Sequence, residues 1–378
     1  MSQRQIDERA KTCAPILKLD HDPFIVIGNS GRLWWVIDTY ITNSNYPYSQ
    51  PHQRPKYGKF NYIRNAAVAI IDAYNGDVNF YILEEDEPLI QTYRKIFPDL
   101  FKPKEDIPDG VAAHLRFPDT FTYILAEKYT YYHVQNPVQF YDKSDSWHLS
   151  KETYYDEQSG NNLRVLMKPY YAILTLPGEN KPEFVNMLPF TPPKRTLNMS
   201  AWLVARCDPP HYGEMVVYEL PKGVSIDGPE QIEERIDTHP QISEEHSLWG
   251  QGDSSVLRGN LLVIPVENSL FYVEPVFLQS KKLPLLKQII VAAEDKLAGE
   301  GTFEQALEKL FLVETPATGP GGLMQQGLDK LSEAKKSLEK GDVEKAQREV
   351  QEAIAILLTA NDKVKQYKKP TEELIGSQ

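Results

Sequence analysis

The amino-acid sequence predicts an α+β protein, in which an antiparallel or mixed β-sheet body with several short helices precedes a C-terminal helical hairpin. Short apolar runs bounded by turn residues recur along most of the chain, which is typical of strands. The 378 residues include 21 Tyr, 14 Phe and 28 Pro, a composition that favours strands and ordered loops over long helices. Sustained helical periodicity appears only towards the C-terminus.

Strands are predicted wherever apolar runs flank a turn. Residues 24–41 contain two such runs around Gly28-Asn29-Ser30-Gly31, which predicts a hairpin. At Asn75-Gly76 a two-residue type I′ turn pairs Ala73 with Val78 and places one wholly apolar face on the ribbon. Further strands are predicted at 170–176, 183–188, 201–207, 214–220, 261–266 and 270–277.

Helices are predicted from capping residues followed by apolar spacing. Residues 88–97 begin with Pro88 after Asp86 as the N-cap and end before Pro98. The other short helices are predicted at 121–131, 229–237 and 302–311, and the polar stretch 142–162 is predicted to be an exposed loop.

The chain divides by composition into a globular body, a linker, a hairpin and a tail. The α+β body spans 1–312, and the Pro- and Gly-rich residues 313–322 form a linker. A helical hairpin at 323–368 turns at Gly341-Asp342, and a disordered tail spans 369–378. A hairpin this small needs a surface to pack on, so we expect it to dock on the main body, on a protein partner or on a second copy.

Net charge and cysteine usage restrict the partners and cofactors. A net charge of −12 repels phosphate backbones, so no nucleic-acid partner is expected. Cys13 and Cys207 stand in no metal-binding spacing, so neither a metal site nor another cofactor is indicated. The chain contains no apolar run of membrane-spanning length and no secretory leader, so a chain complete as written is expected in the cytoplasm.

No local catalytic motif is present, and the sharpest chemical anomaly is Glu274. This carboxylate lies inside the apolar run of residues 270–277, where a charge needs a partner or keeps its proton. Five arginines stand beside strand-like or turn segments and offer a guanidinium: Arg64, Arg116, Arg195, Arg206 and Arg258. A structural ion pair and a tuned acid or base are the two interpretations.

Two further groups of residues are candidate sites. His114 and Arg116 lie in aromatic-rich surroundings and, with Glu274 and Arg64, form the catalytic candidates, although packing histidines have the same appearance. The loop containing Trp249, Gln251, Asp253 and Ser254 offers an aromatic ring with polar groups, and 142–145 offers oxygen ligands for calcium. Plain solvated turns are the favoured interpretation of both loops, because neither spacing is specific for a ligand.

Several segments in order resemble an uncharacterised protein family, UPF0182, whose members are multi-pass membrane proteins. The similar stretches include DTYITNSNYPYS at 38–49, NYIRN at 61–65, HLRFP at 114–118, FTPPKRTLNM at 190–199 and SLFYVEPVFL at 269–278. The resemblance implies that helices preceding this region anchor it in the cell membrane, with the soluble part outside the cytoplasm. It supplies no reaction, cofactor or catalytic residue.

Three functional hypotheses follow. The first is a non-enzymatic extracytoplasmic binding or assembly domain of a membrane protein, with the hairpin as its docking surface. The second is an envelope hydrolase or ligand-processing enzyme with a site around Glu274, His114 and Arg116. The third is a structural domain stabilised by a cation.

Overall fold

The chain forms two compact units in the computed structural model. The first contains Met1–Thr153 and Asn162–Glu234, and the second contains Tyr154–Asn161 and Arg235–Gln378. The structure describes residues 4–54, 58–156, 161–192, 198–221, 225–251, 254–266, 269–280, 283–312, 320–340 and 342–372. The predicted 1–312 body therefore contains the first unit and part of the second.

The first unit is mainly β-structure with four helices among its described residues. The helices are α1 Ile6–Cys13, α2 Pro88–Ile96, α3 Asp119–Tyr132 and α4 Pro137–Asp142. The strands are β1 Lys18–Leu19, β2 Phe24–Ile27, β3 Leu33–Asn43, β4 His52–Arg54, β5 Gly58–Phe60, β6 Tyr62–Asp72, β7 Val78–Ile82, β8 Phe101–Lys102, β9 His148–Leu149, β12 Tyr170–Thr175, β13 Pro182–Thr191, β14 Ala201–Arg206 and β15 Met215–Glu219. Three elements, β10 Lys151–Asp156, β11 Asn161–Leu166 and α5 Pro229–Thr238, contain the boundaries between units.

Among its described residues, the second unit has a five-stranded sheet, preceded in sequence by one helix and followed by three. Its strands are β16 Ser254–Arg258, β17 Leu262–Val266, β18 Ser269–Ser280, β19 Leu283–Ala293 and β20 Lys296–Glu300. Its helices are α6 Pro240–Trp249, α7 Phe303–Leu312, α8 Pro320–Glu339 and α9 Val343–Glu372. These elements, with those of the first unit, confirm the predicted α+β class.

The two long strands β3 and β6 form the centre of the first unit's larger sheet, whose order is β1-β3-β6-β7-β8. Side chains alternate between the faces: Ile37 and Ile41 lie in one apolar cluster, whereas Val36 and Tyr40 lie in others. Asp38 follows the same alternation and shares a face with Val36 and Tyr40. Since both faces are buried, β3 and β6 read as nearly continuous apolar runs.

The chain turns at Asn75-Gly76, but the loop is longer than the predicted two-residue turn and the predicted register is wrong by two residues. Val78 pairs with Ile71 rather than with Ala73. Asp72 is the cause, because its Oδ1 accepts hydrogen bonds from two backbone amides of the turn and its own amide donates to the Asp77 carbonyl. Asp72 thus closes a longer loop, and a shift of two leaves each side chain on its predicted face.

Two other local predictions need correction. The N-cap of α2 is Glu87 rather than Asp86, since the Glu87 side chain accepts from the Ile90 amide. The stretch 142–162 is not simply a loop, because it contains β9 and β10 and the beginning of β11. The polar composition had suggested that the backbone N–H and C=O groups of this stretch bond to water. Strands β10 and β11 pair with each other instead and satisfy these groups.

The second unit's sheet has the order β16-β18-β19-β20, with β17 also paired to β18. Pro275 lies within β18 between the stretch bonded to β17 and the stretch bonded to β16, next to an irregularity at Val276. A residue without an N–H donor is tolerated there. Helix α7 buries Ala306 and Leu310 against this sheet.

Helices α8 and α9 form the predicted hairpin, with α8 beginning at Pro320 and α9 continuing to Glu372. Small residues line the seam: Ala334 on α8 and Ala346, Ala353 and Ala360 on α9 are buried. Their spacing of seven residues keeps them on one helical face. Gly327 lies so close to the facing helix that an added Cβ would be 2.6 Å from Cγ of Leu357.

Candidate functional site

Arg116, a candidate side chain of the first unit, is held by several contacts. It follows a short 3₁₀ turn, Ala112–His114, and precedes α3. Its Nη2 donates to Oδ2 of Asp22 at 2.6 Å, and the guanidinium carbon lies 4.3 Å from the Phe24 ring centroid and 5.2 Å from that of Tyr171. An ion pair and two aromatic faces therefore fix the position of this cation.

His114 and Arg116 line the same cleft, which has a volume of about 470 Å³. The His114 side chain is exposed, whereas that of Arg116 is 19% exposed. Apolar side chains form much of the remaining lining: Phe24, Val26, Ala113, Ile173 and Phe184. The structure thus brings together the two residues that the sequence analysis paired, in a cleft able to hold a ligand with an apolar part.

Buried carboxyl groups surround Arg116 on its protein side, and the sequence analysis did not identify them. Asp38 is only 2% exposed, and burial, reinforced by Asp20 and opposed by Arg116, raises its pKa to about 8. Burial and then Asp20 also raise the pKa of Asp119. The Asp20 side chain accepts hydrogen bonds from the hydroxyl of Tyr40 and from the backbone amide of Asp22.

The signal for Asp38 was present in the sequence. Asp38 is a carboxyl that directly follows the apolar run Leu-Trp-Trp-Val-Ile within β3, and Glu274 was identified on the same reasoning. Asp20 carries no comparable sequence signal, because it lies in the polar stretch Asp20-His21-Asp22. Asp119 lies only three residues after Arg116, but a carboxyl in the first turn of a helix such as α3 is common and does not mark a site.

Glu274 belongs to the second unit, where it forms a buried ion pair. Nη2 of Arg258 donates to Glu274 Oε2 at 2.7 Å, and Nε of Arg258 donates to Oε1. The guanidinium also donates to Oδ1 of Asp237 at 2.5 Å. Burial raises the pKa of Glu274, and Arg258 opposes that rise. Because both carboxylate oxygens are engaged, this geometry gives the glutamate a structural role.

The remaining candidates line another cleft of the first unit or belong to the second unit. Arg64 lines another cleft of the first unit and lies 3.7 Å from Glu84. Trp249 ends α6, Gln251 follows it as an exposed residue, and Ser254 begins β16, all in the second unit. Asp253 lies outside the described residues. A site joining Glu274 with the first-unit residues stays a prediction.

The hairpin presents an exposed apolar surface. On α8 it consists of four side chains at helical spacing on one face: Met324, Leu328, Leu331 and Leu338, each between 37% and 60% exposed. On α9 it continues with Val343, Ile354 and Leu358, between 51% and 60% exposed. We call these seven residues the hairpin stripe. Contiguous exposed apolar side chains of this kind mark interaction surfaces.

The described residues contain no group of three or more His, Cys, Asp or Glu side chains arranged to hold a metal ion. Among the same residues, no helix combines the length and the apolar character needed to cross a membrane. At 142–145, Asp142 Oδ1 instead accepts a hydrogen bond from the Ser144 amide.

Fold and site together define an α+β protein with a ligand-sized cleft beside a buried acidic cluster and an appended helical hairpin. Residues 1–249 match the Uncharacterised protein family (UPF0182), and the chain belongs to that family. Relatives in Moorella thermoacetica, Methanospirillum hungatei and Bradyrhizobium diazoefficiens, each named a UPF0182 protein, are 48%, 45% and 42% identical over 316, 313 and 358 residues.

These alignments cover 83%, 82% and 90% of this chain but only 33%, 34% and 37% of the respective relatives. The chain therefore spans about a third of the length of the curated relatives that it matches. No solved structure matches it. The family is uncharacterised, so its relatives carry no name for an activity, and function has to be argued from the geometry.

Proposed function

We propose that the chain is a non-enzymatic assembly module that associates with a second copy of itself through the hairpin stripe. The observation that carries this proposal is the stripe itself: α8 and α9 are held together by their small residues, which leaves the large apolar residues facing outwards. Burying such side chains against a partner is favourable by about 25 cal/mol for each Å² of apolar surface removed from water.

The charge of the hairpin favours a second copy as the occupant. Between residues 323 and 360 the chain carries six Lys or Arg and seven Asp or Glu residues, so the hairpin is nearly neutral although the whole chain has a net charge of −12. Opposite charges are interspersed there, as the pairs of Lys330 with Glu333 and Glu352 show. Two such surfaces do not repel each other, and a symmetric pair satisfies both stripes at once.

Sedimentation velocity of the full chain over a range of concentrations tests this proposal. The chain should form dimers whose dissociation constant rises at least about tenfold when Leu331→Glu and Leu338→Glu are combined. Lys336→Glu is the matched control, because it changes the net charge by the same amount at an exposed position of α8 outside the stripe. A chain that stays monomeric throughout, or a double variant that dimerises as before, contradicts the proposal.

We further propose that this module is the extracytoplasmic part of a longer protein anchored in the cell membrane. The family resemblance and the greater length of the relatives support it. In intact source cells, externally added protease should then remove this region, while a cytoplasmic marker protein stays whole. Protection of the region until the cells are broken contradicts the extracytoplasmic placement.

A second candidate is a hydrolase or ligand-processing enzyme, which the shared cleft of His114 and Arg116 favours. Glu274 is not included, because Arg258 engages both of its carboxylate oxygens. Hydrolysis of a panel of ester and phosphoester substrates that disappears in both His114→Ala and Arg116→Ala would support this function. A rate unchanged in both variants would exclude it for this cleft.

A further inference from the structure

Strands β18 and β19 of the second unit form an antiparallel ribbon whose far end is exposed and apolar. Five consecutive residues of β19, 283–287, are all exposed, and we call them the ribbon tip. Three of them are leucines: Leu283, Leu285 and Leu286 are 68%, 63% and 50% exposed. A single exposed leucine is common on protein surfaces. Several adjacent ones mark a surface that contacts something else.

Apolar side chains lie on both faces of the ribbon at its tip. Leu285 pairs with Leu278, and the next residue, Leu286, pairs with Phe277. Neighbouring residues of a strand point to opposite faces, so each face carries a leucine. Among the described residues β20 pairs with β19 only from Ile289 onwards, so the tip extends past β20. A flat protein surface would cover one face of the tip, whereas insertion into a fluid apolar medium covers both.

The free edge of β19 at the tip is poorly suited to pairing with another strand. Pro284 has no backbone N–H to donate to a further strand. The register with β18 shifts between Val276 and Phe277, which makes Lys287 of β19 an extra residue. Proline, lysine and bulges are features by which edge strands avoid pairing with another chain. The tip therefore makes its contacts through side chains and not by extending the sheet into a second copy.

The sequence around the tip is basic within an acidic protein. Residues 276–288 contain three lysines, Lys281, Lys282 and Lys287, and no Asp or Glu, although the whole chain has a net charge of −12. Lys281 and Lys282 lie outside the described residues. Charges in solution act over about 8 Å at physiological ionic strength, so the local lysines matter more than the distant net charge. Clustered lysines are attracted to anionic lipid head groups.

Helix α6 adds an aromatic ring beside the tip. Nζ of Lys287 lies 5.2 Å from the centroid of the Trp249 ring, and the preceding residue, Leu248, is 58% exposed. Tryptophan is enriched at the boundary between a membrane and water, because its ring is apolar while its N–H is polar. Lysine suits the same boundary, since its stem packs on apolar groups while its ammonium stays in water.

We propose that the ribbon tip binds the surface of an anionic phospholipid bilayer. Leu283, Leu285 and Leu286 insert among the upper parts of the acyl chains, and the lysines contact the lipid phosphates. Trp249 then lies at the level of the head groups. With only three leucines inserted, the contact is shallow and reversible. It requires neither self-association through the hairpin stripe nor anchoring helices, so its failure leaves those proposals standing.

Co-sedimentation of the full chain with sucrose-loaded vesicles tests the proposal. The chain should bind phosphatidylcholine vesicles containing about one third phosphatidylglycerol, and should bind pure phosphatidylcholine at least about tenfold more weakly. Leu285→Glu combined with Leu286→Glu, the tip variant, should weaken binding to the anionic vesicles at least about tenfold. Val138→Glu combined with Tyr141→Glu is the matched control, because it adds the same charge at positions of α4 that are 70% and 89% exposed. This control should bind like the native chain.

Hydrogen–deuterium exchange of the native chain, with and without the anionic vesicles, gives a second measurement that requires no variant to fold. Exchange should slow in peptides covering 283–287. Equal exchange in these peptides with and without vesicles would contradict insertion of the tip.

Three outcomes of the sedimentation experiment would overturn the proposal. The first is a native chain that stays in the supernatant with anionic vesicles. The second is a tip variant that binds the vesicles like the native chain. The third is loss of binding when Leu331→Glu and Leu338→Glu are combined while the tip variant is unaffected, which places the lipid contact on the hairpin stripe.

Discussion

Replacing Asp38 with asparagine should make the chain's stability much less sensitive to pH. The Asp38 carboxyl, 2% exposed on β3, has its pKa raised from 3.8 to about 8 by burial and by Asp20. A carboxyl with a raised folded-state pKa favours the folded state while protonated. Its contribution is therefore fully present below about pH 4, and it is lost progressively as the pH rises to about 8.

The size of the effect follows from the two pKa values. At about 1.4 kcal/mol for each pH unit, ionisation of Asp38 accounts for a loss of about 4 kcal/mol in unfolding free energy between about pH 5 and about pH 8.5. This loss of about 4 kcal/mol is an upper limit for Asp38 alone, because the neighbouring carboxyls Asp20 and Asp119 respond to the same negative charge on Asp38. Asp38→Asn removes the ionisation while keeping the shape of the side chain.

Urea denaturation of the native chain and of Asp38→Asn at these two pH values measures the difference directly. We expect the native chain to lose several kcal/mol more than the variant, so that the variant is the more stable protein at the higher pH. Asp99→Asn, at an exposed carboxyl, is the control and should leave the pH dependence unchanged. Equal pH dependence in the native chain and in Asp38→Asn would refute the reasoning.

Two further predictions concern the second unit. Glu274→Ala leaves Arg258 buried without its main partner and should lower the unfolding free energy, measured by urea titration, by about 3–5 kcal/mol. Glu274→Leu combined with Arg258→Met removes both charges and should be nearly neutral. An equal loss of unfolding free energy in the two variants would contradict the ion-pair account. Gly327→Ala places a Cβ 2.6 Å from Cγ of Leu357 and should separate α8 from α9, which circular dichroism would record as a loss of helix at a lower temperature. Ser332→Ala, at an exposed position of α8, is the control and should melt like the native chain. Unchanged melting of Gly327→Ala would contradict the close packing.

Patterns of apolar residues were sufficient to predict most strands of both units. The runs at 201–207 and 270–277 correspond to β14 and to the centre of β18, because a strand buried on both faces has few alternatives to an apolar run. The capping spacing at residue 302 likewise predicted α7, and the Thr302 hydroxyl accepts from the Gln305 amide.

The pairing between strands was less predictable, because it depends on individual side chains. The Asn75-Gly76 dipeptide located the turn, but the Asp72 carboxylate lengthened the loop by competing for its amides. Turn preference alone does not include that competition. The same limitation applied to α2, whose N-cap is Glu87 and not the predicted Asp86.

The candidate sites show the same division between local and distant information. A charge within an apolar strand marked Glu274 and, by the same reasoning, marks Asp38. The sequence offered five arginines as possible partners of Glu274. Only the pairing of β16 with β18 in the structure identifies Arg258 as the partner.

Hydrogen–deuterium exchange of the full chain at low and high concentration tests the assembly proposal most directly. If copies meet through the hairpin stripe, raising the concentration should slow amide exchange in peptides from α8 and α9 and leave the sheet peptides of both units unchanged. Slower exchange confined to the sheets, or no dependence on concentration in any peptide, would contradict a module that assembles through its hairpin.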